Sequence, residues 1–122
     1  MNHVQYPGQL GEAKVLARIM ELKMEAYLPF SGQAPCDLIT YDNETYKTYR
    51  VSVKTCWGKN KYGGYEVQLR EVRTNSTGLK IKMFDSNSCD VLAVYIQPLD
   101  VVCFVPANNI LSKATLTFRE DG

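Results

Sequence analysis

The sequence is poor in the residues that soft-metal sites are built from. Its 122 residues include one histidine, His3, and four cysteines, Cys36, Cys56, Cys89 and Cys103. No two cysteines fall at CxxC spacing, so a zinc site lacks the close ligands it needs. Free, buried thiols in a reducing compartment are expected instead. No apolar run approaches the length that crosses a bilayer. The start, Met1-Asn2-His3-Val4-Gln5-Tyr6-Pro7, lacks the basic residues and apolar stretch of a signal peptide. A cytoplasmic protein is therefore expected, and the sequons Asn43-Glu44-Thr45 and Asn75-Ser76-Thr77 read as chance matches. Repeats, low-complexity tracts and linkers are also missing, which leaves one domain over residues 1–122. Hydrophobic residues make up 45% of the chain, enough for a packed core.

What is present is an uneven distribution of charge. Lys47, Arg50, Lys54, Lys59, Lys61, Arg70, Arg73, Lys80 and Lys82 share their stretch with only two acids, Glu66 and Glu71. The net charge is nevertheless +1, so the rest of the chain is acidic. A polyanion-binding face explains this segregation. A lysine-rich exposed sheet that resists edge aggregation explains it too, and charge alone leaves both readings open.

Hydrophobic periodicity places one long helix over Gly8–Tyr27, approached by Pro7 and followed by Pro29. Val15, Ile19, Leu22 and Ala26 form its apolar stripe. Glu12 lies on that stripe as well. There it needs a partner, unless the helix dipole alone favours it in the first turn. Strands are expected at Asp37–Tyr41 and Tyr46–Thr55, joined by a turn at Asp42–Thr45. In the second strand Val51 and Val53 face one way and Arg50, Ser52 and Lys54 the other. If the two strands form a hairpin, Asp37 comes opposite Ser52 to Lys54.

Trp57–Tyr65 reads as a basic, glycine-rich, aromatic loop, and Glu66–Arg73 as a strand with Val67 and Leu69 on one side and Gln68 and Arg70 on the other. A polar loop is expected at Thr74–Gly78. Asp90–Ile96, the most apolar run, is expected to be the central strand. Val101–Val105 should pair with it through a turn at Gln97–Asp100. A short helix at Asn108–Lys113 and an edge strand at Thr115–Arg119 complete an α/β (α+β) domain, a mixed sheet with helices on its faces.

Glu12 and Asp37, converging at a strand end with the backbone carbonyl of Val53, offer oxygen ligands for magnesium or manganese. A bound cation stabilises charge on a phosphoryl oxygen, and a lysine such as Lys54 adds to that stabilisation. These parts suit phosphodiester hydrolysis. A plain salt bridge between Asp37 and Lys54 accounts for the same residues.

Gly11-Glu12, Pro35-Cys36-Asp37-Leu38-Ile39 and Arg50-Val51-Ser52-Val53-Lys54-Thr55, in this order, resemble the signature of the PD-(D/E)xK nuclease superfamily. Within it the chain is similar to small intron-associated homing endonucleases and, more distantly, to archaeal Holliday-junction resolvases. The resemblance implies a restriction-endonuclease-like fold, double-stranded DNA as partner and a divalent metal. It makes Glu12 a helix-borne ligand or water-positioning acid, Asp37 the principal ligand and Lys54 the catalytic lysine. The chain departs from the pattern at two places. Ser52 stands where a carboxylate or glutamine is usual, and Cys36 separates Pro35 from Asp37. Ser52 keeps open the reading of a DNA-binding protein with impaired catalysis, beside those of a site-specific homing nuclease and a structure-selective resolvase. Candidate DNA contacts are Lys59, Lys61 and Tyr62 in the loop, with Gln68, Arg70 and Arg73 reaching base edges. Cutting both strands with so small a domain implies a homodimer or higher symmetric oligomer.

Overall fold

The computed structural model describes residues 7–31, 34–75, 78–112 and 114–120. Helix α1 (Pro7–Glu21) is followed by strands β1 (Glu25–Tyr27), β2 (Leu38–Tyr41), β3 (Thr48–Cys56), β4 (Tyr65–Gln68), β5 (Glu71–Asn75), β6 (Gly78–Lys82), β7 (Val91–Ile96), β8 (Val101–Pro106) and β9 (Thr115–Phe118). Five of them form one sheet in the order β1-β2-β3-β7-β8, while β4–β9 and β5–β6 are separate two-stranded ribbons. The pairing of β3 with β7 is parallel and the other pairings are antiparallel. The result is the expected mixed α/β architecture.

Strand β7 is apolar along its length because both of its faces are covered. Leu92, Val94 and Ile96 pack with Cys56, Val67 and Leu69 on the side of the β4–β9 ribbon. Ala93 joins Leu38 and Val51 beneath Val15 and Ile19 of α1. The middle position of the sheet belongs to β3, with β7 beside it. The second face is covered by a β-ribbon, where the sequence suggested helices. The helix expected at Asn108–Lys113 is a single 3-10 turn at Ala107–Asn109.

The helix also stops six residues before its expected end. Lys23 adopts a left-handed conformation, φ 64°. The N–H of Met24 reaches the carbonyl of Ile19 at 3.1 Å and that of Lys23 reaches Met20 at 2.9 Å. This pair of hydrogen bonds closes a helix C-terminus, and Met24 packs against the core cluster that contains Ile19. Glycine usually holds that left-handed position; lysine there gave no stop signal. Leu22 is consequently exposed, and Ala26 sits in edge strand β1, opposite Thr40.

The expected strand Glu66–Arg73 is two strands. Strand β4 ends at Gln68, and the N–H groups of Leu69 and Arg70 turn to the carbonyl of Ala114 at 2.7 and 3.3 Å. Chain direction then changes, and β5 pairs with β6 in a different ribbon. Of the residues read as a polar loop, Thr74, Asn75 and Gly78 belong to these two strands. Gly78, at φ 126°, holds a backbone conformation closed to other residues. All four cysteines are free thiols; Cys36, Cys56 and Cys89 are buried and Cys103 partly so. The sequon at Asn75–Thr77 lies partly outside the described residues.

Candidate active site

The site begins with the hairpin β2–β3. In its turn the Asp42 carboxylate accepts the N–H groups of Glu44 and Thr45 at 2.9 and 3.4 Å. Pairing then runs from Tyr41↔Thr48 to Leu38↔Val51. Beyond it, the N–H of Asp37 donates to the carbonyl of Val51 at 2.9 Å. The Asp37 carboxylate in turn accepts the N–H of Val53 at 2.7 Å. Asp37 thus occupies the edge of β3 at the point where β2 runs out. Because backbone groups alternate along a strand, the Val53 carbonyl lies on that same edge, two residues past the Val51 carbonyl.

Ser52 and Lys54 are half-buried on the face of β3 opposite α1. With Asp37 and Val53 they border an open cleft of about 660 Å³. That volume falls in the range of roughly 300–1,000 Å³ typical of ligand clefts. Lys54 forms no ion pair with Asp37, in contrast to Arg50, which the Asp90 carboxylate holds at 3.2 Å. The plain salt bridge that the sequence allowed between Asp37 and Lys54 is therefore not built.

Glu12 does not border the cleft. It approaches from the first turns of α1, which lies close on β3 because residue 11 is glycine; a Cβ at Gly11 would collide with Thr55 Oγ1. Partial burial, and then the negative charge of Asp37, push the Glu12 carboxyl above the usual carboxylate range. Two acids that oppose each other's ionisation are relieved by a cation between them. Among the described residues no three His, Cys, Asp or Glu side chains are placed to hold a metal ion together. The donors available are therefore the Glu12 and Asp37 carboxylates, the Val53 carbonyl and the Ser52 hydroxyl. An all-oxygen set of this kind fits a hard cation such as magnesium or manganese and does not fit zinc.

The basic residues divide into two groups. Arg50 fastens β3 to β7: its side chain and backbone N–H bind the Asp90 carboxylate, and it also donates to the Asn87 carbonyl at 3.0 Å. Lys59 pairs with Glu120 at 3.7 Å. Lys61 and Tyr62 remain outside, with the Lys61 ammonium 5.1 Å from the Tyr62 ring centre. Their loop is held by Asn60, whose side-chain oxygen accepts the N–H groups of Tyr62 and Gly64 at 2.9 and 3.0 Å. Trp57 is exposed like Tyr62, while Tyr65 is buried and donates its hydroxyl to Glu120 at 2.6 Å. Gln68 and Arg70 are exposed but border no part of the cleft. The side chain of Arg73 lies outside the described residues; its backbone pairs with Lys80.

Three charged cleft residues escaped the sequence reading: Glu71, Lys82 and Asp85. Glu71 and Lys82 lie opposite each other at the base of the β5–β6 hairpin. Their signal was the alternation Leu79-Lys80-Ile81-Lys82, which is strand-like once Gly78 is recognised as the turn residue.

A family model described as PD-(D/E)XK endonuclease matches residues 2–122. No curated protein sequence matches the chain. Among solved structures, the bacterial homing endonuclease I-Ssp6803I is similar with a TM-score of 0.80 at 20% identity, over 93% of this chain and 76% of that one. At that identity the likeness establishes a shared fold, the restriction-endonuclease-like one. With the family model spanning nearly every residue, the chain belongs to the PD-(D/E)XK endonuclease family.

Proposed function

We propose that this chain is a divalent-metal-dependent DNA endonuclease that hydrolyses phosphodiester bonds at a specific site, in the manner of a homing enzyme. The observation that carries the proposal is the Asp37 carboxylate seated on the Val53 N–H at 2.7 Å, at the mouth of a cleft that Lys54 also borders. Glu12, Asp37 and the Val53 carbonyl would hold the cation, with the Ser52 hydroxyl as a weaker, uncharged donor. When bound there, the cation supplies Lewis-acid stabilisation of a phosphoryl oxygen. Lys54 places a positive charge beside the phosphate as negative charge builds on it. Glu12, whose carboxyl is raised towards a higher pKa, is suited to orient water or accept its proton. Lys61, Tyr62, Gln68 and Arg70 are the exposed contacts we assign to DNA, with Arg73 as a further candidate. Cleavage of both strands calls for two such sites, hence a homodimer or higher symmetric oligomer. We place the protein in a reducing cytoplasm, where its free thiols persist.

Ser52 favours a second reading, a DNA-binding protein whose catalysis is impaired. One experiment separates the two: supercoiled plasmid carrying varied inserts is incubated with the native chain, Lys54→Ala and Ser52→Gln, in magnesium, manganese or EDTA. Metal-dependent nicking that Lys54→Ala abolishes is the expected result. Activity confined to Ser52→Gln supports the impaired reading. Silence from every form, with no DNA retained, sinks both.

A further inference from the structure

Two lysines border the cleft, and they come from different elements. Lys54 belongs to β3, and Lys82 to the end of β6. Four other cations are committed elsewhere: Lys14 to Asp100 at 3.1 Å, Arg18 to Glu21 at 3.7 Å, Arg50 to Asp90 at 3.2 Å and Lys59 to Glu120 at 3.7 Å. Lys54 and Lys82 make no ion pair with a described residue. Lys82 is exposed and borders the cleft. Its cross-strand neighbour is Glu71, and two residues further up the hairpin Lys80 lies opposite Arg73 in the register. Directly opposed residues share a face of a two-stranded ribbon. The face that carries Lys82 to the cleft therefore carries Lys80 onward, away from it. The other face holds Leu79 and Ile81, exposed by 62% and 53%.

We infer that Lys82 is a phosphate-positioning residue, gripping the backbone of the DNA strand that lies in the cleft while Lys54 acts at the bond to be broken. Lys80 extends the same basic track along the hairpin to the neighbouring phosphate. The hairpin is then the second jaw of the nucleic-acid site, and β3 the first. The inference rests on the nuclease reading above and adds to it a partner for Lys54 that the family motif does not contain. A phosphate is the ligand class that fits. It is an anion with several acceptor oxygens, and unpaired ammonium groups on separate elements can share it. Successive phosphates on a strand present the same chemistry along a track. Contacts of this kind position the duplex without reading its sequence.

The test measures binding separately from cleavage. A labelled mixed-sequence duplex is titrated with the full chain in calcium-free EDTA buffer, from 50 to 200 mM salt, by fluorescence anisotropy. Native protein, Lys82→Ala, Lys82→Arg, Lys54→Ala and Lys23→Ala are compared. Lys23 lies past the end of α1, borders no part of the cleft and serves as the control. Loss of one phosphate contact lowers the slope of log affinity against log salt by about 0.9 and the affinity about five- to tenfold near 100 mM. Lys82→Ala is expected to show both changes, Lys82→Arg neither, and Lys23→Ala neither. Lys54→Ala, which also removes a charge beside the phosphate, is expected to lower the salt slope as Lys82→Ala does and in addition to abolish plasmid nicking. A merely structural role for Lys82 would shift affinity without changing the salt slope, and that result overturns the inference. So does a native-like slope and affinity in Lys82→Ala when the native chain binds DNA, and in that case the nuclease reading survives. If the native chain shows no salt-dependent DNA binding, both fall together.

Discussion

Gly11→Ala tests how closely α1 must approach β3. In the interior of a helix alanine is favoured over glycine by about 1 kcal/mol. On propensity alone the substitution should stabilise. At this position, however, a Cβ would overlap Thr55 Oγ1, and it would lie 3.4 Å from Thr55 Cβ and 3.5 Å from Val53 Cγ1. The last two are ordinary contacts, so the conflict is with one oxygen atom. Either Thr55 turns away or the helix lifts. Overpacking of this kind costs about 1–3 kcal/mol, so the net effect is destabilising by up to about 2 kcal/mol once the gain in propensity is subtracted. The neighbouring residue is Glu12, and lifting the helix moves its carboxyl relative to Asp37. A displacement near 1 Å at a catalytic group costs on the order of 100-fold in rate. Thermal melts and plasmid nicking of Gly11→Ala, Thr55→Ala and the double variant make a cycle. The expected outcome is a lower Tm and lower activity for Gly11→Ala, with both partly restored when Thr55 is also alanine. Additive effects in the cycle, or a Gly11→Ala chain that is both more stable and fully active, would refute the close-approach argument.

Ser52→Glu adds a third carboxylate beside Asp37. In the metal-free chain it should lower the Tm through like-charge repulsion, and it should tighten manganese binding at least about tenfold, since opposite charges near 4 Å attract by about 4 kcal/mol at an effective dielectric of 20, and more for a divalent ion. Calorimetric titration reads this directly, and unchanged affinity would place the cation elsewhere. The Arg50 guanidinium and backbone N–H hold the Asp90 carboxyl below the usual carboxylate range. A depressed carboxyl contributes stability that is fully present above its unfolded pKa, about 3.9, and is lost as pH falls through the lower folded value. Asp90→Asn should therefore be less stable than the native chain at pH 7 and lose less on acidification below about pH 4. Urea melts at pH 7 and pH 3 test this, and parallel losses would exclude the pair as an acid-sensitive tie.

The hairpin β2–β3 was legible in the sequence because its alternation and its turn residues agreed. Val51 is buried, Ser52 and Lys54 border the cleft, and Asp37 reaches Val53. Strand β7 was legible because an apolar run of that length has to be covered on both faces. Three features were hidden for separate physical reasons. The end of α1 is set by lysine in a conformation where glycine is the usual cue. The break after Gln68 leaves the alternation intact, with Val67 and Leu69 both buried, so nothing local marks it; the signal is a bond to Ala114, far along the chain. The division of the basic residues depends on their partners, and Asp90 and Glu120 lie 40 and 61 positions from Arg50 and Lys59.

The unequal lengths of β2 and β3 shape the proposed site. Strand β3 has nine residues and β2 only four, and their pairing ends at Val51. Among the described residues the edge of β3 beyond that point has no partner strand in the sheet, and backbone groups left without partners are costly when shielded from water. Asp37 satisfies one of them, the Val53 N–H. The Val53 carbonyl lies on that same edge. In the proposed site one carboxylate therefore has a structural duty and a chemical one, and two substitutions separate them. Asp37→Asn keeps an oxygen that can accept the Val53 N–H and removes the charge. It should fold with nearly native stability and lose metal affinity and nicking together. Asp37→Ala removes the acceptor as well, and a half-buried N–H without a partner costs about 1–3 kcal/mol, towards the lower end here because water reaches the cleft. Thermal melts without metal, set beside manganese titrations, should rank stability as native, then Asn, then Ala, with metal affinity lost equally in both variants. If Asp37→Asn were as unstable as Asp37→Ala, the charge would be stabilising the strand edge. If Asp37→Asn retained full metal affinity, Asp37 would not be the ligand.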